Sequence, residues 1–321
     1  MTRRLTLALL ALVLPLGTPA SAGSCSTSPS PGANVERHHY SMSARIRPLL
    51  VFWIGRSGIG DAVVTKRQGL GEAGYSLLIG SDPDRAPRRI NRWRYIREDI
   101  HGSEATLIGL MTESDEDSLQ QAEGNIRKQA VGDRTFKIIR GTVDADEAKS
   151  IVTSIAAPAR YSYRQVDTLL DLAQRDTLDG QEGTARVIRL PSGTRPGFLE
   201  AVAEVIHRHV VQWHASGRVQ PGGPIPYVYH GRIYELRATH TRPLASVQLG
   251  GAAYAQVIRS DFETRSAYDG EVTSFSITYG TEGRLAAIPL AASYQPRWWM
   301  QIELTLDDPA SGPAPADGPT P

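Results

Sequence analysis

The stretch Trp298-Trp299-Met300-Gln301-Ile302-Glu303-Leu304-Thr305-Leu306 shows the clearest alternation of apolar and polar residues in the chain. From Trp298 onward every second residue is apolar, and three of the four residues between them are polar. Side chains of a strand point alternately to its two faces, so this pattern predicts an antiparallel strand in a sheet that is covered on one side only.

Trp299 is the exception, because it lies on the polar face of the predicted strand. An indole in that place either packs against a covering element or lines a groove for an apolar ligand. Both alternatives stay open from the sequence. Trp299 is therefore a candidate ligand-binding residue.

The rest of the mature chain divides into strand-like ends and a central section with helical periodicity. Short β-like runs lie between clusters of Gly, Pro and Asp, and His230-Gly231 and Gly55–Gly60 predict hairpin turns. Helical patterns cover four ranges, namely 114–130, 144–155, 166–173 and 196–215. A strand, Thr135–Val143, is predicted between the first two of them. The predicted fold class is α+β, with antiparallel β meanders at both ends and a helical middle section.

The N-terminus has the features of a secretory signal peptide. Arg3 and Arg4 precede an apolar run that is too short to cross a bilayer, and Ala20-Ser21-Ala22 offers a cleavage site. We therefore expect an exported protein, periplasmic or secreted. The predicted segments are a signal peptide (1–22), a flexible leader (23–43), an N-terminal α+β region (44–215), a C-terminal antiparallel β region (216–306) and a disordered Pro-rich tail (307–321).

Cys25 is the single cysteine of the chain, so it forms no internal disulfide. Ala22-Gly23-Ser24-Cys25 resembles a bacterial lipobox, in which the cysteine is acylated and becomes the first residue. The alternative is cleavage after Ala22, which leaves Cys25 in a loose leader. The expected membrane contact is limited to this possible lipid anchor.

The composition and the absence of certain motifs limit the activities and partners that we expect. With 35 basic and 34 acidic residues the formal net charge is +1, which gives no electrostatic reason to expect a nucleic-acid partner. The sequence contains no phosphate-binding Gly-x-x-x-x-Gly-Lys loop, no His-Glu-x-x-His and no Ser-x-x-Lys. We therefore expect no cofactor and favour a non-catalytic protein, with any catalytic residues unknown.

An arginine-rich stretch supplies a second set of candidate ligand-binding residues. In a strand, Trp93 and Tyr95 would share one face and Arg92 and Arg94 the other. Cationic and aromatic side chains together bind phosphates or anionic lipid headgroups. The alternative is a solvated surface whose arginines pair with nearby acidic residues, Asp82, Asp84, Glu98 and Asp99.

A third pattern lies in the longest predicted helix, where Glu204-x-x-His207 has the spacing of two metal ligands on adjacent turns. A complete site needs further ligands, and the sequence has no second motif of this kind. We therefore interpret these residues as a solvated face and predict no metal site.

Two stretches, Leu77–Pro83 and Tyr294–Trp299, resemble segments of uncharacterised exported bacterial proteins, and the last quarter of the chain is loosely similar to periplasmic β domains of unknown function. The resemblance implies export and a β-rich C-terminal part, and it implies no catalytic residue.

The sequence therefore favours an exported envelope protein that binds an apolar or amphipathic small molecule or a partner protein. Two alternatives remain. One is a hydrolase or transferase with dispersed acid–base residues, drawn from the long helix and from His230 or His240. The other is a structural scaffold of the envelope.

Overall fold

The computed structural model describes residues 34–46, 53–112, 133–178, 184–297 and 300–307. Within these ranges the strands form one antiparallel sheet of fourteen strands. The strands are β1 (Asn34–Ile46), β2 (Ile54–Gly69), β3 (Glu72–Ser81), β4 (Trp93–His101), β5 (Glu104–Thr112), β6 (Asp133–Asp144), β7 (Glu147–Pro158), β8 (Thr184–Arg189), β9 (Ile225–Tyr229), β10 (Arg232–Leu249), β11 (Ala252–Ser266), β12 (Val272–Gly280), β13 (Pro289–Arg297) and β14 (Met300–Leu306). The two described α-helices are α1 (Val166–Leu178) and α2 (Phe198–Ser216).

The sheet consists of two meanders joined at one strand pair. In the first meander, β1 to β8, consecutive strands pair with each other. The same is true of the second meander, β9 to β14, and β1 pairs with β14 to join the two. That pair extends from Tyr40 opposite Leu306 to Ile46 opposite Met300. Tyr40 is buried beside it and donates a hydrogen bond of 2.8 Å from its hydroxyl to the carbonyl oxygen of Pro289. The first and last strands of the chain therefore lie side by side in the middle of the sheet.

The predicted α+β class is wrong, because antiparallel strands occupy most of the described chain. Residues 144–155, expected to form a helix, contain the turn between β6 and β7, where Asp144 pairs with Glu147, and most of β7. The residues that suggested helical spacing include β-branched Ile151, Val152 and Ile155, which favour strands, and pairing to β6 and β8 decides their conformation.

Other expectations have mixed outcomes. The strand at 135–143 is confirmed, and so are the helices predicted at 166–173 and 196–215. Residues 114–130 lie outside the described residues. β1 begins at Asn34, inside the range 23–43 predicted as a flexible leader, so that prediction is wrong from Asn34 onward.

The glycine-rich segment Gly55–Gly60 is part of β2 and does not form the predicted turn. Met42 lies opposite Gly60 but Ala44 lies opposite Arg56, so β2 accommodates extra residues in a bulge. Gly58 in this bulge has a φ of 66°, a conformation that glycine adopts without strain. The positive φ of Gly58 therefore accommodates the bulge in β2.

The polar and apolar faces of β14 are as the alternation predicted for its described residues. Ile302, Leu304 and Leu306 pack into apolar clusters with residues of β1, β2 and β13. On the opposite face the Gln301 Nε2 donates hydrogen bonds of 3.0 Å to Ser293 Oγ and Glu303 Oε1. Trp298 and Trp299 lie outside the described residues.

The sheet around β4–β7 is covered on both faces. On one face α1 packs its buried Val166, Leu169 and Ala173 against Trp93, Phe136 and other residues of these strands. On the other face Val228 of β9 packs against Ile100, Ala105, Val143 and Ala148. The β9–β10 hairpin of the second meander thus contacts the first meander.

Helix α2 covers the second meander. Its buried residues Ala201, Val205, Ile206 and Val210 pack against β9–β12. His209 is also buried there, and its Nδ1 lies 2.6 Å from the Tyr279 hydroxyl, which lies 2.8 Å from Ser260 Oγ. No α-helix in the described ranges is long and apolar enough to cross a membrane.

Leu306→Ala tests the importance of the joining strand pair. Leu306 is 5% exposed beside Tyr40 and Leu290, so its truncation should lower the free energy of unfolding by about 2–5 kcal/mol. Leu70→Ala is the matched control, because Leu70 lies fully exposed between β2 and β3 and should change stability by less than about 0.5 kcal/mol. Urea unfolding measures both, and similar effects of the two substitutions would contradict the assignment.

Candidate functional site

A small cavity lies where the β9–β10 turn contacts the face of β4–β7 opposite α1. Its volume is about 20 Å³, and both meanders line it. The polar lining includes Glu98 of β4, Ser150 of β7 and His230 of the turn, among apolar residues such as Leu107, Ile139 and Val228. We call it the His230 cavity.

His230 is held in an unusual conformation. Its φ is 50° and that of Gly231 is 64°, as required at the two central residues of a tight hairpin turn, so the predicted turn is confirmed. A histidine in this region is uncommon and is sterically less favourable than glycine or asparagine. The imidazole stacks on Tyr229 with ring centroids 3.7 Å apart.

Two glycines allow the turn to approach the sheet. A Cβ at Gly109 of β5 would lie 3.0 Å from the Nε2 of His230, and a Cβ at Gly231 would overlap the Ser150 side chain. Neither ring nitrogen of His230 has a hydrogen-bond partner within the described residues, and both are buried. Buried polar atoms are normally paired, so an unpaired imidazole here is notable.

Electrostatics keep this imidazole neutral. Burial, together with the positive charges of Arg94 and Arg232, lowers the pKa of His230 to about 3. At neutral pH one ring nitrogen is therefore a hydrogen-bond donor and the other an acceptor.

Glu98 connects the cavity to helix α2. It is 1% exposed, and its two carboxylate oxygens accept hydrogen bonds from the backbone N–H groups of Leu199 (2.8 Å) and Glu200 (2.9 Å). The N-cap residue of α2 is Gly197, which has no capping side chain, and a Cβ there would overlap the Glu98 carboxylate. A strand of the first meander therefore caps the helix of the second.

The pKa of Glu98 reflects opposing effects. Burial and the charge of Glu200 raise this pKa, the N–H groups of Leu199, Glu200 and Phe198 lower it, and the net value is about 7. A buried carboxyl that titrates near neutrality is typical of functional sites and also of structural networks.

Glu204, expected on a solvated face with His207, belongs to an ion-pair network at the start of α2. Its carboxylate lies 3.4 Å from Arg195 and 3.2 Å from Arg208, and Arg195 also lies 3.3 Å from Glu200. His207 is exposed. Within the described residues no three His, Cys, Asp or Glu side chains group in a way that could hold a metal ion.

The candidates of the arginine-rich stretch are divided between two environments. Trp93 is 3% exposed, with its ring centroid 5.6 Å from that of Phe136, and Tyr95 packs against the same cluster beneath α1. Arg94 is exposed on the face of the His230 cavity, and Arg92 is half-buried, where burial lowers its pKa. The structure therefore does not bring these four residues together on one surface.

Neighbouring arginines are paired with acidic residues. Asp82 is buried and binds Arg85 at 2.7 Å and Arg164 at 2.6 Å, and Arg97 lies 2.6 Å from Asp99. The Tyr163 hydroxyl donates a hydrogen bond of 2.5 Å to Asp61. The Leu77–Pro83 stretch thus contributes Asp82 to a paired charge network between β2, β3 and the segment before α1.

Sequence reasoning missed the role of Glu98 and did not anticipate the cavity. The sequence indicates Glu98 only as a counter-charge for arginines, whereas its hydrogen-bond partners lie about a hundred residues away in the chain. For His230 a signal was present, because histidine stands at a turn position that usually takes asparagine, aspartate or glycine. Trp299 and Cys25 lie outside the described residues.

The arrangement can hold one small neutral molecule between a neutral imidazole and an apolar wall. The cavity is far smaller than the roughly 300–1,000 Å³ of a typical pocket for small molecules. No protein-family model, curated protein or solved structure matches the chain.

The pH dependence of stability tests the environments of His230 and Glu98, because the two groups change the free energy of unfolding in opposite directions as pH rises. The unfolded chain takes up a proton on His230 below about pH 6.5 and the folded protein does not, so this group lowers stability as pH falls towards 3. Folded Glu98 retains its proton up to about pH 7, so this group lowers stability as pH rises from about 4.5 to 7.

Urea unfolding between pH 4.5 and 6.5 should therefore show changed slopes in two variants. His230→Asn, which tolerates positive φ, should lower the slope of stability against pH by about one proton, or about 1.4 kcal/mol per pH unit. Glu98→Gln should raise the slope by a similar amount. Parallel curves for both variants and the unchanged protein would contradict the environments described.

Proposed function

We propose that this chain is an exported envelope protein that binds an amphipathic partner, without catalysis, at one end of its sheet. The observation that carries the proposal is the exposure of Trp53 and Ile54 at the start of β2, at 39% and 47%. These two residues are consecutive in the chain, and exposed large apolar side chains at one end of a sheet are a feature of binding sites.

This end of the sheet is where two connections leave neighbouring strands. Ile46 at the end of β1 pairs with Ile54 of β2 on one side and with Met300 of β14 on the other. Met300 in turn pairs with Arg297 of β13. We call this the β1–β2 end. Trp299 belongs by sequence to the β13–β14 connection, and its role as a ligand contact stays a prediction.

Basic residues flank the exposed apolar pair. Arg56 is exposed two residues after Ile54, and the Arg45 side chain is 53% exposed while lying 3.4 Å from Glu303. Aromatic and aliphatic side chains beside arginines suit a surface that is apolar and anionic, such as that of an anionic lipid assembly. This combination supports an amphipathic partner over a purely apolar one.

The interior offers less support for an apolar ligand. The His230 cavity, at about 20 Å³, is too small for a lipid chain, and the clusters around α1 and α2 are packed. A partner that contacts the β1–β2 end from outside is compatible with these dimensions.

Four residues that suggest a hydrolase or transferase lie in separate environments. Glu204 is bound by Arg195 and Arg208, His207 and His240 are exposed, and His230 is enclosed in its cavity. The scaffold alternative is distinguished from the proposal by the binding test that follows.

Co-sedimentation with phosphatidylglycerol vesicles tests the proposal, using the mature chain with Cys25→Ser so that no acyl anchor contributes. The pair Trp53→Ser and Ile54→Ser should weaken binding at least about tenfold, because each buried apolar side chain contributes about 1.5–3 kcal/mol. Phosphatidylcholine vesicles should bind the unchanged chain less than the anionic ones.

Leu70→Ser is the control, since Leu70 is also apolar and is more exposed, but follows the other end of β2, about 50 Å away along the strand. It should bind vesicles as the unchanged chain does. Absence of vesicle binding, or an equal loss in the Leu70 variant, would contradict the proposal.

A further inference from the structure

The imidazole that lines the His230 cavity has two buried nitrogen atoms that need hydrogen-bond partners. Both ring nitrogens of His230 are buried without a partner within the described residues, although a neutral imidazole carries one donor and one acceptor. Leaving such groups unpaired in an interior costs free energy, and ordered water commonly supplies the missing partner.

The space beside the imidazole has a defined size. A water molecule needs roughly 10–15 Å³ of cavity measured in this way, and the His230 cavity provides about 20 Å³. It therefore has room for one water-sized molecule beside the ring. Ser150 and Glu98 also line the cavity, so polar groups other than the imidazole are available to such a molecule.

The lining of the cavity suits a neutral molecule better than an ion. The carboxylate oxygens of Glu98 already accept hydrogen bonds from Leu199 and Glu200, so they have limited capacity to neutralise a cation. An anion would lie beside the buried Glu98 and against apolar side chains that cannot replace its hydration. Apolar Leu107, Ile139 and Val228 complete the lining.

We infer that the His230 cavity is a binding site for one neutral, water-sized, hydrogen-bonding molecule, which is water in the resting protein. This molecule connects the β9–β10 turn of the second meander to the face of β4–β7 in the first. The inference does not depend on the proposed function, because the cavity is separate from the exposed residues of the β1–β2 end.

The positions of the glycines support a site over an incidental packing defect. Gly109 leaves space next to the Nε2, where an alanine Cβ would lie 3.0 Å away, and the Gly231 backbone at positive φ presses the turn against Ser150. The same turn holds His230 at positive φ, a region that is uncommon for residues other than glycine. The cavity therefore lies beside a polar ring held in a fixed orientation.

Solution NMR of the ¹⁵N-histidine-labelled protein at pH 7 tests the inference. We expect the His230 ring to have one protonated nitrogen and to show a cross-relaxation peak to water with the sign of a molecule bound for longer than about a nanosecond. An observed ring N–H without such a peak, or with only the sign of fast surface water, would overturn the inference.

Gly109→Ala provides a second arm, because its Cβ occupies the space beside Nε2. This variant should lose the bound-water peak and show at least about tenfold faster hydrogen exchange in the β9–β10 turn. Gly223→Ala is the control, since a Cβ there meets nothing within 4 Å, and it should retain both properties. A bound-water peak that persists unchanged in a folded Gly109→Ala protein would also overturn the inference.

Discussion

The pairing of β1 with β14 is the constraint on which the rest of the structure depends. It joins two meanders, each built from strands that follow one another in sequence, into one sheet. The hydrogen bond from Tyr40 to Pro289 spans 249 positions of the chain. Closing so long a loop costs entropy, and buried contacts such as those of Leu306 and Leu290 with Tyr40 must offset that cost.

A second, independent connection between the meanders lies at the start of α2. Glu98 of β4 caps this helix where Gly197 cannot, and the β9–β10 turn places His230 against β5. Both groups are buried and ionisable, so the contact is linked to protonation in opposite directions. The candidate site is therefore part of the interface that holds the two meanders together.

The sequence predicted local features better than long-range ones. The alternation of β14, the periodicity of α2 and the His230-Gly231 turn depend on neighbouring residues, and the structure confirms them. The apolar spacing of residues 144–155 predicts a helix, and pairing of these residues with β6 and β8 overrides that local pattern. The capping by Glu98 depends on two segments far apart in the chain, so no local pattern could reveal it.

Hydrogen exchange measured residue by residue tests most directly that the two meanders form one cooperative unit through β1 and β14. We predict that amides of β1 and β14 exchange only through global unfolding, with the same opening free energy as those of β5, β6, β11 and β12. Fast exchange in β1 and β14 with separate, unequal protection of the two meanders would contradict this account.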